Sequence, residues 1–137
     1  MNTPFALDPR LAGDTHAVCD LALSRVLLMD DARWPWLILV PRRAGLRELL
    51  DLDPDAQQVL LDEINRVARL LQARHAADKL NIAALGNVVA QLHVHVIARQ
   101  VGDPAWPAPV WGRGERVPYV ADVARDLAGT LATALSA

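Results

Sequence analysis

Gln91, His93 and His95 stand two residues apart in the stretch AQLHVHVIARQ, residues 90–100. Alternate side chains of an extended strand share a face, so the amide and the two imidazoles point one way. Leu92, Val94 and Val96 point the other way and suit packing beneath a helix. Alternate side chains lie about 6.5–7 Å apart, which lets both histidines reach one small anionic group.

Three readings of this pair compete. The histidines can be structural, each satisfied by a backbone partner. They can form half of a zinc site, which needs a third protein ligand. His16, Asp30, Asp31 and His75 are the candidates for that ligand, and none has diagnostic spacing. The third reading is nucleophilic catalysis at phosphorus. A neutral imidazole is a nucleophile at neutral pH and can form a covalent N–P intermediate that water resolves. Its second ring nitrogen must then donate a hydrogen bond to hold the tautomer. The other histidine and nearby backbone N–H groups can neutralise charge on the phosphoryl oxygens.

The flanking sequence supplies the elements that would position these groups. LDPRL reads as a short helical turn capped by Asp8, with Pro9 at its first position. GDTHAVCD reads as loop. Residues 21–29 and 36–41 read as two strands separated by a turn holding Asp30, Asp31, Arg33 and Pro35. The clearest helix begins at cap Asp53, with Pro54 first and Asp55 at the positive end of the dipole. Leu60, Ile64, Val67 and Leu71 form its apolar stripe, and Arg74 and His75 suit its C-terminal end. Strands over 80–86 and 92–98 are joined too tightly for a crossover helix, so they should be antiparallel. Residues 102–114, with three prolines and three glycines, fit no regular element. Val120, Val123, Leu127 and Leu131 space out a last helix over about 118–135, weakened by Gly129. The sum is an α+β domain on an antiparallel sheet, one domain over residues 1–137.

The 137 residues suffice for a hydrophobic core, and 53% are hydrophobic. The apolar runs, of which Trp36–Val40 is the longest, fall short of the ~18 residues of a membrane helix. No secretory signal is visible at the N-terminus. Fourteen basic against sixteen acidic side chains give −2, which argues against a nucleic-acid surface. One cysteine, Cys19, excludes an intrachain disulfide and suits a reducing cytoplasm. Lys79 is the only lysine, and the arginine excess reads as coding bias.

QLHVHVI resembles the signature of the histidine triad (HIT) family, His-x-His-x-His followed by two apolar residues. WLILVPRRAGLRELLDLDPD resembles the family's second strand, its Val-Pro-basic exit and its helix start. GNVVAQ falls where the family has a glycine-led turn, and PAWPAP is similar to a Trp-Pro element of some members. The resemblance covers roughly residues 20–111. It implies a HIT-like fold and a nucleotidyl hydrolase or transferase that acts on purine nucleotides joined to a leaving group. It also implies a homodimer with a sheet continuous across two subunits. No cofactor is expected. His93 matches the family's nucleophile and His95 the phosphate-contacting third histidine.

The chain departs from the pattern at three places. Gln91 stands where the first histidine belongs and cannot take up a proton. Val88 replaces a Ser or Thr that often meets the phosphate, and Asn87 replaces a glutamine after Gly86. Losing a transition-state donor can cost about 10²–10³ in rate. A slow enzyme, or one with an unusual leaving group, is therefore expected. A nucleotide-binding protein of the same fold with little turnover is the alternative. The resemblance implies that Asp30 and Asp31, after the first strand, accept from ribose hydroxyls; the alternative is that they merely form the turn. Trp36 either lines the base pocket or fills core. Trp106 and Trp111 read as packing or as pocket or dimer contacts, and the resemblance implies that the Trp106 loop reaches toward a partner's site. His16 reads as exposed loop, His75 as a helix-end imidazolium, and Arg42 and Arg43 as solvated or phosphate-facing.

Overall fold

The computed structural model describes residues 3–136. Asp8 caps α1, Pro9–Asp14, by accepting from the Arg10 amide, and Pro9 opens that helix. Strands β1, Thr15–Asp20, β2, Ser24–Met29, and β3, Trp36–Pro41, follow as an antiparallel meander. Helix α2, Pro54–His75, starts at Asp53, whose side chain accepts from the Ala56 amide, and ends on Ala76 in the left-handed region. Strands β4, Lys79–Ala83, and β5, Val94–Arg99, are antiparallel, and α3, Ala121–Ser136, closes the chain. The strand order is β1-β2-β3-β5-β4, so the histidine strand lies inside the sheet, between β3 and β4.

The sheet has two packed faces. Leu92, Val94, Val96 and Ala98 join Leu60, Ile64, Val67 and Leu71 of α2 in one core. On the opposite face Ile97 joins Leu27, Trp34, Trp36 and Ile38 with Leu11, Ala105 and Val110. The second face is the one that carries the histidines. Glu63 of α2 is buried and accepts from two backbone amides where the β1–β2 turn enters β2, Leu23 at 2.8 Å and Ser24 at 3.0 Å. Among the described residues, no helix is long and apolar enough to cross a membrane.

Three expectations fail. Residues 15–20 form an edge strand rather than a loop. The register slips between Ala17 and Cys19, and neither face of β1 is fully buried, so the alternation that marks a strand is absent from its sequence. The packing face of α3 consists of Ala124, Ala128, Leu131 and Leu135, while Val120 and Val123 are exposed. Small alanines let the helix approach the sheet closely, and the larger valines beside them face outward. Gly129 leaves open space where a Cβ would sit. β4 is also shorter than the expected strand over 80–86 and stops at Ala83.

Candidate active site

Strand alternation brings His93 and His95 onto one face, with ring centroids 5.0 Å apart and planes at 67°. Both are buried, at 6% and 4% exposure. Each ring has one nitrogen fixed by a neighbour, and the two neighbours act in opposite senses. His93 Nδ1 lies 2.6 Å from the Gln91 carbonyl oxygen. A carbonyl only accepts, so Nδ1 carries the proton and Nε2 of the neutral ring keeps its lone pair. His95 Nδ1 lies 2.9 Å from Trp36 Nε1. An indole nitrogen only donates, so His95 accepts there and its proton sits on Nε2.

The sheet register explains the second contact. Ile38 is opposite His95 and Trp36 is opposite Ile97, which makes Trp36 and His95 diagonal neighbours. An aromatic side chain spans that distance. Trp111 completes the enclosure, edge-on to His95 at 5.1 Å and to Trp36 at 5.9 Å. Burial lowers the His95 pKa from 6.5 to about 3, and the charge of His93 adds to the effect. His95 is thus a neutral hydrogen-bond donor at ordinary pH.

Gln91 makes no contact through its side chain to either imidazole. Its Oε1 accepts from the Asp8 amide at 2.8 Å, and its Nε2 donates to the Ala6 carbonyl at 2.8 Å.

A cavity of about 270 Å³ lies on the far side of Trp36 and Trp111 from His95, and neither histidine is in its lining. Trp36 and Trp111, which both touch His95, line it together with Met29, Asp31, Arg33 and Arg113. Asp31 is buried and takes Arg33 in a fork, Nε at 2.9 Å and Nη2 at 2.7 Å. Burial acts to raise its pKa, but the guanidinium and the Arg33 and Val117 amides bring it below the usual carboxylate range. Arg33 also stacks over Trp34 at 4.5 Å and donates to the Arg113 carbonyl. Asp30 is outside this cavity's lining. It pairs with His16 Nε2 at 2.9 Å and accepts from the Tyr119 amide at 3.0 Å. Both aspartates therefore have partners within the chain and hold the segment that leads to α3.

Gly86, Asn87 and Val88 lie in the β4–β5 connection. Gly86 has φ +104°, a backbone conformation that glycine tolerates, and Val88 is 77% exposed. Trp106 does not stand with the histidines: the cation it faces is Arg99, at 5.6 Å. Buried Arg99 forks onto Asp103, Nε at 2.7 Å and Nη2 at 2.9 Å, and reaches Asn81 and the Ala108 carbonyl. The Arg99 guanidinium holds Asp103 well below the usual carboxylate range. This hub fixes the irregular segment that delivers Val110 and Trp111. The sequence offered a Trp-rich segment but no periodicity to tell which ring would face the site.

His75 also differs from expectation. It is half-buried, and burial followed by the neighbouring Arg74 lowers its pKa, so the structure favours neutral imidazole at the helix end. His16 belongs to β1 rather than to a loop. Among the described residues no three His, Cys, Asp or Glu side chains gather as metal ligands would.

The fold and the paired strand histidines define a five-stranded antiparallel α+β protein with an imidazole site on one sheet face. The HIT domain family model matches residues 11–102, and the chain belongs to that family. It is similar over almost its whole length to solved histidine triad proteins. The one from Bradyrhizobium japonicum is 48% identical, with 98% of this chain and 97% of that chain covered and a TM-score of 0.89. The one from Marinobacter aquaeolei VT8 is 46% identical, with 98% of each chain covered and a TM-score of 0.94. The one from Sinorhizobium meliloti 1021 is 48% identical, with 96% and 95% covered and a TM-score of 0.89. Comparison with curated proteins finds no match.

Proposed function

We propose that this protein is a nucleotide hydrolase or transferase that cleaves a phosphoramidate or phosphoanhydride bond at the α-phosphorus of a purine nucleotide. Members of its family are generally nucleotide hydrolases or transferases. The observation that carries the reading is the hydrogen bond from His93 Nδ1 to the Gln91 carbonyl, which leaves Nε2 as the nucleophilic nitrogen. The Nε2 lone pair forms a bond to phosphorus as the bond to the leaving group breaks, and the electron pair departs with that group. Water then attacks phosphorus, and the N–P electron pair returns to Nε2. His95 Nε2–H donates to a phosphoryl oxygen as charge builds there. The nucleoside occupies the cavity beside Trp111 and Trp36, with Asp31 toward the ribose, and the Gly86–Val88 turn lies against the phosphate. The active form is a homodimer joined through the β4 edge, where Ile82 and Leu85 are 47% and 49% exposed. Its setting is the cytoplasm.

A second reading has its own support. The Gln91 amide is bound on both sides by backbone, so the group in the first triad position moves no proton. On that reading the protein binds purine nucleotides with little turnover. Rapid quench with adenosine 5′-phosphoramidate, followed by mass spectrometry, separates the two. The hydrolase gives an adenylyl adduct that His93→Ala abolishes. Tight AMP binding without adduct or AMP release overturns the hydrolase.

A further inference from the structure

His93 and His95 are buried, and the cavity nearest to them stops at the rings of Trp36 and Trp111. A phosphorus atom that bonds to His93 Nε2 must lie in line with that nitrogen. A nucleotide in the cavity therefore meets His93 only if one of the two rings gives way. The rings pack edge to face, with centroids 5.9 Å apart and planes at 89°. They differ in what holds them. Trp36 opens β3, is paired with Ile97 of β5, and donates its Nε1–H to His95. Trp111 stands in the irregular segment after β5, and packing alone holds its ring, against Trp36 and edge-on to His95 at 5.1 Å. Among the described residues its indole N–H has no hydrogen-bond partner.

The backbone on either side of Trp111 is pinned. Val110 is buried in the core, and the Arg113 carbonyl accepts from Arg33, itself forked onto Asp31. Gly112 lies between, at φ +77°, and nothing stands within 4 Å of the place its Cβ would take. A glycine suits that left-handed bend and brings no side chain to wedge the neighbouring ring. The ring can thus turn about its own side-chain bonds while the segment stays where Arg99 and Arg33 hold it.

We propose that the Trp111 ring is the gate of the active site. It swings away from His95 toward the open space at Gly112 and joins the cavity to the imidazoles, so that the α-phosphorus of a nucleotide held there reaches His93 Nε2. Trp36 is the fixed wall of the passage and keeps the His95 proton on Nε2 throughout. The inference rests on the nucleotide reading above.

Carbethoxylation by diethyl pyrocarbonate, mapped to each histidine by peptide mass spectrometry, tests the gate, with thermal melts as the folding control. His16, whose side chain is 35% exposed, is the internal reference. An open state populated at about 0.1–10% makes His93 of the wild type react about 10–10³-fold more slowly than His16. Trp111→Ala removes most of that lag, whereas Trp111→Phe, which keeps a ring, and Trp106→Phe, in the same segment, retain it. Trp111→Leu preserves apolar packing and answers in place of alanine if alanine unfolds the chain. AMP then slows the reaction of His93 in the opened variant, because the cavity and the nucleophile are continuous there. Equal rates for His93 and His16 in the wild type overturn the shut gate. A His93 rate in the opened variant within twofold of wild type overturns Trp111 as its leaf. AMP that binds by calorimetry yet leaves His93 unshielded overturns the passage from cavity to nucleophile. AMP that binds neither protein defeats the nucleotide reading instead, while the histidine rates still decide the gate.

Discussion

The two imidazoles differ in what their surroundings let them do. His95 is buried among Trp36, Trp111 and His93 and stays neutral down to about pH 3. In the unfolded chain the same side chain protonates near 6.5. Between those values the unfolded state binds a proton that the native state does not. Stability therefore falls as pH drops through this window, by about 1.4 kcal/mol per unit at most from this group. Urea titrations from pH 7 to pH 3.5 check this: His95→Gln shows a shallower loss than wild type. Parallel slopes would mean that His95 charges freely in the folded protein.

At the scale of elements, the irregular segment after β5 behaves as a fixed part because Arg99 ties it down. Replacing Arg99 with methionine leaves Asp103 buried at 7% side-chain exposure without its cation. Such an orphaned charge costs about 3–5 kcal/mol. The expected outcome is a matching loss in urea-denaturation midpoint, with a change in tryptophan emission as Trp111 and Trp106 loosen. Capping and period explain which elements were legible in sequence. α2 announced itself by Asp53, Pro54 and a clean stripe, and β5 by strict alternation. β1 was hidden because its bulge breaks the alternation, and the face of α3 because alanine rather than valine makes its contacts. In the site, His93 and His95 were legible because one strand carries both. Trp111 and the Gln91 partners were not, since they arrive through loops and from the other end of the chain.

For the molecule as a whole, the sheet ends in two different edges. α3 packs over β1, while β4 presents half-exposed Ile82. An uncovered apolar edge strand invites pairing with another chain. On the homodimer proposed above, Ile82→Lys shifts the protein from dimer to monomer in sedimentation equilibrium, and an unchanged mass would sink that assembly. Glu63 has a consequence of another kind. It lies on the long helix yet holds the amide protons of Leu23 and Ser24, where the β1–β2 turn enters β2. Those two protons are released to deuterium only when helix and sheet part company, so a local turn serves as the gauge of whether the entire body has opened.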